Sequence, residues 1–135
     1  MDAIFWARVK ADFSEVRFVL GCRFSFRPPR TVVFSNSDGT NGTRELLLLH
    51  ELGHFLTGRF DFRTEVERLK IEVMAWEKAR ELAPLYGVFV DEDLIESELD
   101  SYRDYLHQKS RCPDCGLTRF QTPDAIWHCP QCDLA

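Results

Sequence analysis

The sequence has no apolar run that reaches the roughly 18 residues a membrane-spanning helix needs. It has no internal repeat apart from two C-x-x-C units, and no low-complexity tract. Its opening residues, MDAIFWARVKADF, scatter acidic and basic side chains and lack the basic-then-apolar layout of a secretory signal. The expected compartment is therefore the cytoplasm. A basic stripe is also missing. Net charge is −5, and the middle of the chain, residues 44–109, carries nine Lys/Arg against fifteen Asp/Glu. Non-specific nucleic-acid binding needs the opposite balance, so neither nucleic acid nor a membrane is the expected main partner. Cysteine is sparse except in one place. Four of the five lie in two close pairs near the C-terminus, and Cys22 stands alone.

What is present suits a compact domain. The 135 residues are 44% hydrophobic and 29% charged, with eleven Phe and three Trp as bulky core material. Residues 2–13 have the spacing of a short amphipathic helix, with Ile4, Phe5, Val9 and Phe13 roughly on one face. Apolar and polar residues alternate from Cys22 to Phe26, the period of a half-buried strand, and TVVFS (31–35) predicts a second strand after the break at RPPR. NSDGTNG (36–42) is rich in turn formers. A helix is expected from an N-cap at Thr43 to a stop at Gly58, another from about Arg63 to Ala83 before Pro84, and a third over 91–108. YGVFV (86–90) reads as extended.

The 43–58 helix, TRELLLLHELGHFLTG, buries two histidines and a glutamate in an apolar run, which is costly without partners. The three form H-E-x-x-H. Residues i and i+4 share a helical face, so His50 and His54 can reach one metal ion, while Glu51 can contact a water on that ion. This is the zincin arrangement, in which the glutamate acts as general base. The alternative is a pair of satisfied core histidines. In this reading Gly53 leaves room close to the metal.

A catalytic zinc takes a third protein ligand. No histidine lies between His54 and His107, which points to an acid on the following helix. Of Glu65, Glu67, Glu72, Glu77 and Glu81, only Glu72 borders the apolar stripe of Val66, Leu69, Val73, Trp76, Ala79 and Ala83. Glu77 and Glu81 have charged neighbours, and Glu65 and Glu67 lie near the helix start. Glu72 is the expected third ligand. For an oxyanion stabiliser, Tyr86, Tyr102, Tyr105 and His107 qualify by type, and spacing selects none of them.

H-E-x-x-H followed on the next helix by E-x-x-A, Glu72 to Ala75, resembles the gluzincin metallopeptidases. More narrowly, LLLLHELGHFLTG with IEVMAWEKARELA resembles the small ImmA/IrrE-type peptidases, and in scale the minimal gluzincins. In that family a glutamate in an E-x-x-A-[NDW]-type pattern completes the metal site. The resemblance covers about residues 30–105. It implies that His50, His54 and Glu72 bind zinc, that Glu51 is the base, and that the strand Thr31 to Ser35 pairs with an extended substrate by strand addition. No residue here carries that family's regulator-cleaving role.

The tail, RCPDCGLTRFQTPDAIWHCPQC, spaces Cys112, Cys115, Cys129 and Cys132 as C-x2-C-x13-C-x2-C. In a reducing compartment this pattern reads as a closed four-thiolate zinc site rather than disulfides. So short a segment cannot build a sufficient core, so the metal would supply much of its folding energy. The rival is a redox dithiol pair. A ribbon behind such a domain also resembles the SprT-like proteases that act on DNA-associated protein, but those use a third histidine that is missing here. Cys22 as an inhibitory cap on the catalytic zinc is a weaker reading than a free cysteine buried in a strand.

The expectation is an α+β fold: a zincin-like metallopeptidase domain over residues 1–109, with helices packed on a small sheet, and a zinc ribbon over 110–135. It would hydrolyse peptide bonds using one catalytic and one structural Zn2+. Its partners would be a protein or peptide substrate and, through the ribbon, a docking protein. The alternatives are the SprT-like role and a non-catalytic zinc-binding interaction module.

Overall fold

The computed structural model of the protein describes residues 1–37, 39 and 42–134. Part of the expected 36–42 turn, at positions 38, 40 and 41, lies outside the described residues. The fold is mixed α+β, with four helices, a three-stranded sheet and a two-stranded one.

Helix α1 (Ala3–Asp12) starts where the Asp2 side chain accepts a hydrogen bond from the Ile4 amide, satisfying a donor that the first turn leaves free. It buries Phe5 and Val9. Ile4, expected on that face, points to solvent. Trp6 turns inward instead and packs edge-on against Phe18 and Phe34 at 5.2 and 4.9 Å.

The expected strand over Cys22–Phe26 is a bend at Cys22 and Arg23 followed by the start of a strand, and a further strand precedes it. Strands β1 (Arg17–Leu20) and β2 (Ser25–Arg27) flank β3 (Thr31–Phe34) in the order β1-β3-β2. β1 runs parallel to β3, and β2 antiparallel to it. Val32 and Val33 of β3 are both buried, as a central strand covered on both faces requires. This position corrects one expectation: β3 already has a neighbour on each edge, so it cannot add a substrate strand. Among the described residues, β2 is the strand with an open edge on the side facing the histidines.

Helix α2 (Thr43–Thr57) begins one residue earlier than a Thr43 cap would place it. Gly42 is the N-cap, with φ 92°, and its amide donates to the Glu45 carboxylate at 2.7 Å. The helix ends as expected at Gly58, left-handed at φ 65°. Leu46, Leu48, Leu49 and Leu52 are fully buried, so α2 is the spine of the core. Helix α3 (Glu65–Leu82) packs along it. Thr64 caps α3 by accepting from the Glu67 amide at 3.2 Å, and the Glu67 carboxylate accepts from the Arg63 amide at 2.7 Å.

A 3-10 turn over Ala83–Tyr86 and Gly87, left-handed at φ 67°, end that helix pair. Residues 86–90, expected to be a strand, form none. Helix α4 (Glu92–Ser110) is capped by Asp91 and buries Ile95 and Leu99 against the rest of the core. Beyond it, strands β4 (Phe120–Gln121) and β5 (Trp127–His128) pair antiparallel.

Candidate functional site

Two histidines one helical turn apart on α2 need a third group to bring their rings to one point, and α3 supplies it. His50 Nε2 lies 3.0 Å from one Glu72 oxygen, and His54 Nε2 lies 3.3 Å from the other. Glu51 stands beside them, its Oε1 3.3 Å from His50 Nδ1. His50, Glu51 and His54 are all buried. Ligand atoms around a tetrahedral ion with bonds of about 2.0–2.1 Å are about 3.3 Å apart. The nitrogen–oxygen separations to Glu72 match that edge, and the ligand atoms of His50, Glu51 and His54 lie within 4.8 Å of one another, so this His/Glu cluster can hold a metal ion.

The approach of α3 depends on Gly53. A Cβ there would sit 3.0 Å from the carbonyl carbon of Ala75 and 3.2 Å from its Cα, and closer still to its oxygen. The room Gly53 leaves is thus taken by the backbone of α3, one turn from Glu72.

Aromatic rings fix the imidazoles. Trp76 stacks on His50 with centroids 4.1 Å apart and planes 7° from parallel. Phe26 of β2 stacks on His54 at 6.1 Å, and Phe60 packs on Phe26. The Trp76 indole N–H finds no partner among the described residues, so this residue serves through its ring face. Sequence reasoning put Trp76 in the apolar stripe. The signal for its role was its place directly after Ala75 in the E-x-x-A-W run.

The four groups polarise one another. Burial pulls the His50 pKa down, but hydrogen bonds to Glu51 and Glu72 outweigh it and carry the value up to about 9. Burial alone would raise Glu72; its hydrogen bonds to His50 and His54 hold it at about 2.

Above the group opens a cavity of about 350 Å³, walled by Phe24, Phe26, Phe60 and Phe62 and by Arg59, Arg68 and Tyr102. Of the four oxyanion candidates, Tyr102 alone lines it. Burial and the nearby Glu72 charge push its hydroxyl pKa up to about 12. Tyr86 hydrogen-bonds Asp12 at 2.7 Å on the α1 side, Tyr105 packs on Lys109, and His107 is exposed. The other acids of α3 are engaged elsewhere or solvated: Glu67 caps the helix, Glu65 faces Arg68, Glu81 pairs with Lys78, and Glu77 is exposed. Cys22, expected in a buried strand, is exposed in the bend before β2 and does not line the cavity. Arg59 and Arg68 were not anticipated, because nothing in local spacing marks an arginine as cavity-facing.

The four tail cysteines converge as well. Cys112 and Cys132 sulfurs are 3.8 Å apart, those of Cys115 and Cys129 3.5 Å, and all four lie within 4.8 Å of one another. A tetrahedral ion bound at about 2.3 Å sets sulfurs about 3.8 Å apart, whereas a disulfide needs about 2.05 Å. This group too can hold a metal ion. Backbone amides of Cys115 and Asp114 lower the Cys112 thiol to about 7. Hydrogen bonds from the other thiols raise Cys132. His128 pairs with Asp133 at 3.1 Å and stacks on Phe120, outside the cluster.

No known protein family, curated protein or solved structure matches the chain.

Proposed function

We propose that the chain is a zinc metallopeptidase of the zincin type, similar to the ImmA/IrrE-like gluzincins, with a C-terminal zinc ribbon. The observation that carries this reading is the convergence of two imidazole nitrogens on one carboxylate, with a second carboxylate beside them, on the floor of an open aromatic cavity. When bound, zinc supplies the Lewis acidity that lets a water lose its proton near neutral pH.

The rest is work for the chain's own residues. His50, His54 and Glu72 hold the ion. Glu51 takes the proton at its carboxylate and hands it to the leaving amine. The open edge of β2 binds the peptide backbone as an added strand, with Phe26 and Phe60 beside its side chains. Tyr102 directs its hydroxyl at the carbonyl oxygen as charge develops there.

The non-catalytic alternative has no use for an open cavity above the group. The SprT-like alternative asks for a third histidine, and both remaining histidines lie away from this group.

Zinc-loaded wild type is expected to cleave unstructured polypeptide. Glu51→Gln, which keeps the shape and removes the base, should lower kcat by roughly 10²–10⁴-fold at unchanged zinc content. Equal cleavage by both proteins at equal zinc content rejects the proposal.

A further inference from the structure

We infer that Arg68 forms a carboxylate-recognition site in this cavity, so that the preferred peptide carries a carboxylate one or two residues from the bond to be cut. The inference rests on the peptidase reading and names its substrate class.

Arg68 lies four residues before Glu72, hence on the same face of α3 and one turn nearer its N-terminus. Such neighbours have Cβ atoms about 5–6 Å apart. An extended peptide advances about 3.3 Å per residue, so that offset spans one or two residues. The Arg68 guanidinium carbon lies 5.1 Å from the Tyr102 ring, 5.6 Å from Phe62 and 5.9 Å from Tyr105. These rings hold the cation in place without using any of its N–H donors.

Among the described residues its one ion pair is with Glu65 at 3.8 Å, too long for a hydrogen bond, and no hydrogen bond from its side chain occurs. The carboxylates inside the cavity are already engaged: Glu72 with both histidines and Glu51 with His50. A second guanidinium, that of Arg59, lines the same space. A positioned guanidinium with its planar donor edge unspent fits a carboxylate, which it can bind through two parallel hydrogen bonds. The acidic surface elsewhere does not cancel this, because at physiological salt charges more than about 8 Å apart are largely screened.

The carboxylate has two sources, an Asp or Glu side chain or the free C-terminus of a peptide. Zinc-loaded Glu51→Gln separates binding from turnover. Its affinity is measured by fluorescence anisotropy for short peptides that place Glu or Gln at each position in turn, with free or amidated ends. One Glu position should tighten Kd by roughly 10–100-fold over Gln, the scale of a charged hydrogen bond. If only the free end does so, the site reads a chain terminus.

In the Glu51→Gln/Arg68→Gln double variant the preference should vanish. With Arg68→Lys it should shrink, since a point charge replaces the fork. The Arg68 Nε–H proton resonance should shift with the acidic peptide and stay in place with the neutral one. Equal binding of Glu and Gln peptides, or a preference that survives Arg68→Gln, overturns the inference. Wild type that cleaves peptides without regard to carboxylates overturns it while sparing the peptidase reading. An Arg68-dependent preference in binding without any cleavage by wild type does the reverse.

Discussion

His50 is gripped from three sides, by the Trp76 ring, Glu51 and Glu72, and this sets how protons compete with a metal. Its pKa in the folded, metal-free chain is raised to about 9, against an ordinary 6.5. The resulting stabilisation is complete below about 6.5 and fades as pH rises through 9. Glu72 is depressed to about 2, so its share is present above about 4.5 and is lost only as pH falls through 2. The metal-free protein should therefore melt highest near pH 5–6 and lower as pH approaches 9. A metal ligand must be a neutral imidazole, so zinc binding at pH 7 should release about one proton from His50. Zinc affinity should rise about tenfold per pH unit until it levels near 9. Calorimetric zinc titration of Cys112→Ala, whose remaining site is the histidine group, in buffers of different ionisation enthalpy measures this proton free of those the tail thiols give up, and zero release at pH 7 rules this account out.

At this scale the sequence was legible wherever chemistry repeats at helical spacing. His50, Glu51, His54 and Glu72 are brought together from positions read off the chain. Arg68 and Trp76 were not legible as site residues. Their environments come from rings on other segments, Phe62, Tyr102 and Tyr105 in one case and His50 in the other.

Between elements, the contact of α2 with α3 decides whether a site exists. Gly53 faces the Ala75 backbone with no space for a methyl group. Gly53→Ala would favour the isolated helix by about 1 kcal/mol on propensity alone, and the clash opposes it. Overpacking of this kind costs about 1–3 kcal/mol. The variant should fold with a lower melting temperature, and zinc affinity should fall at least tenfold because α3 carries Glu72 away from the histidines. If Gly53→Ala binds zinc as wild type does, the helix contact is not what positions Glu72.

The helices were readable to within a few residues because capping residues and a 3.6-residue period mark them. The strands were less so. β3 announces itself by its unbroken apolar run, whereas β1, of equal length, and β2 flank a bend at Cys22 and Arg23 that alternation disguised as part of a strand. Strand order was beyond reach, since nothing in TVVF tells a central strand from an edge. The strand-addition edge implied by the resemblance was accordingly placed on β3, whereas the edges are β1 and β2, of which β2 lies beside the histidines.

Across the whole molecule, the cysteine-bearing tail touches the helix that carries Glu72: Gln121 of β4 accepts from the Glu65 amide, the first of α3, at 2.8 Å. The tail thus satisfies a helix-end donor on the element that carries Glu72 and Arg68. The spacing of the cysteines was legible in sequence; this docking point was not, because glutamine in a two-residue strand has no signature. The two metal sites should still be separable, because the helical core buries its own apolar set without the tail. Wild type should bind two zinc ions per chain, and Glu72→Ala and Cys112→Ala one each. In Cys112→Ala the tail amides should lose hydrogen-exchange protection while those of α2 keep it, since four thiolates around an ion replace a core the tail lacks. Peptidase activity should fall only modestly there, by the loosening of α3's first turn. If Cys112→Ala instead exposes α2 to exchange and binds no zinc at all, the two halves form one cooperative unit, and the tail is part of the fold that builds the histidine cluster rather than an appendage to it.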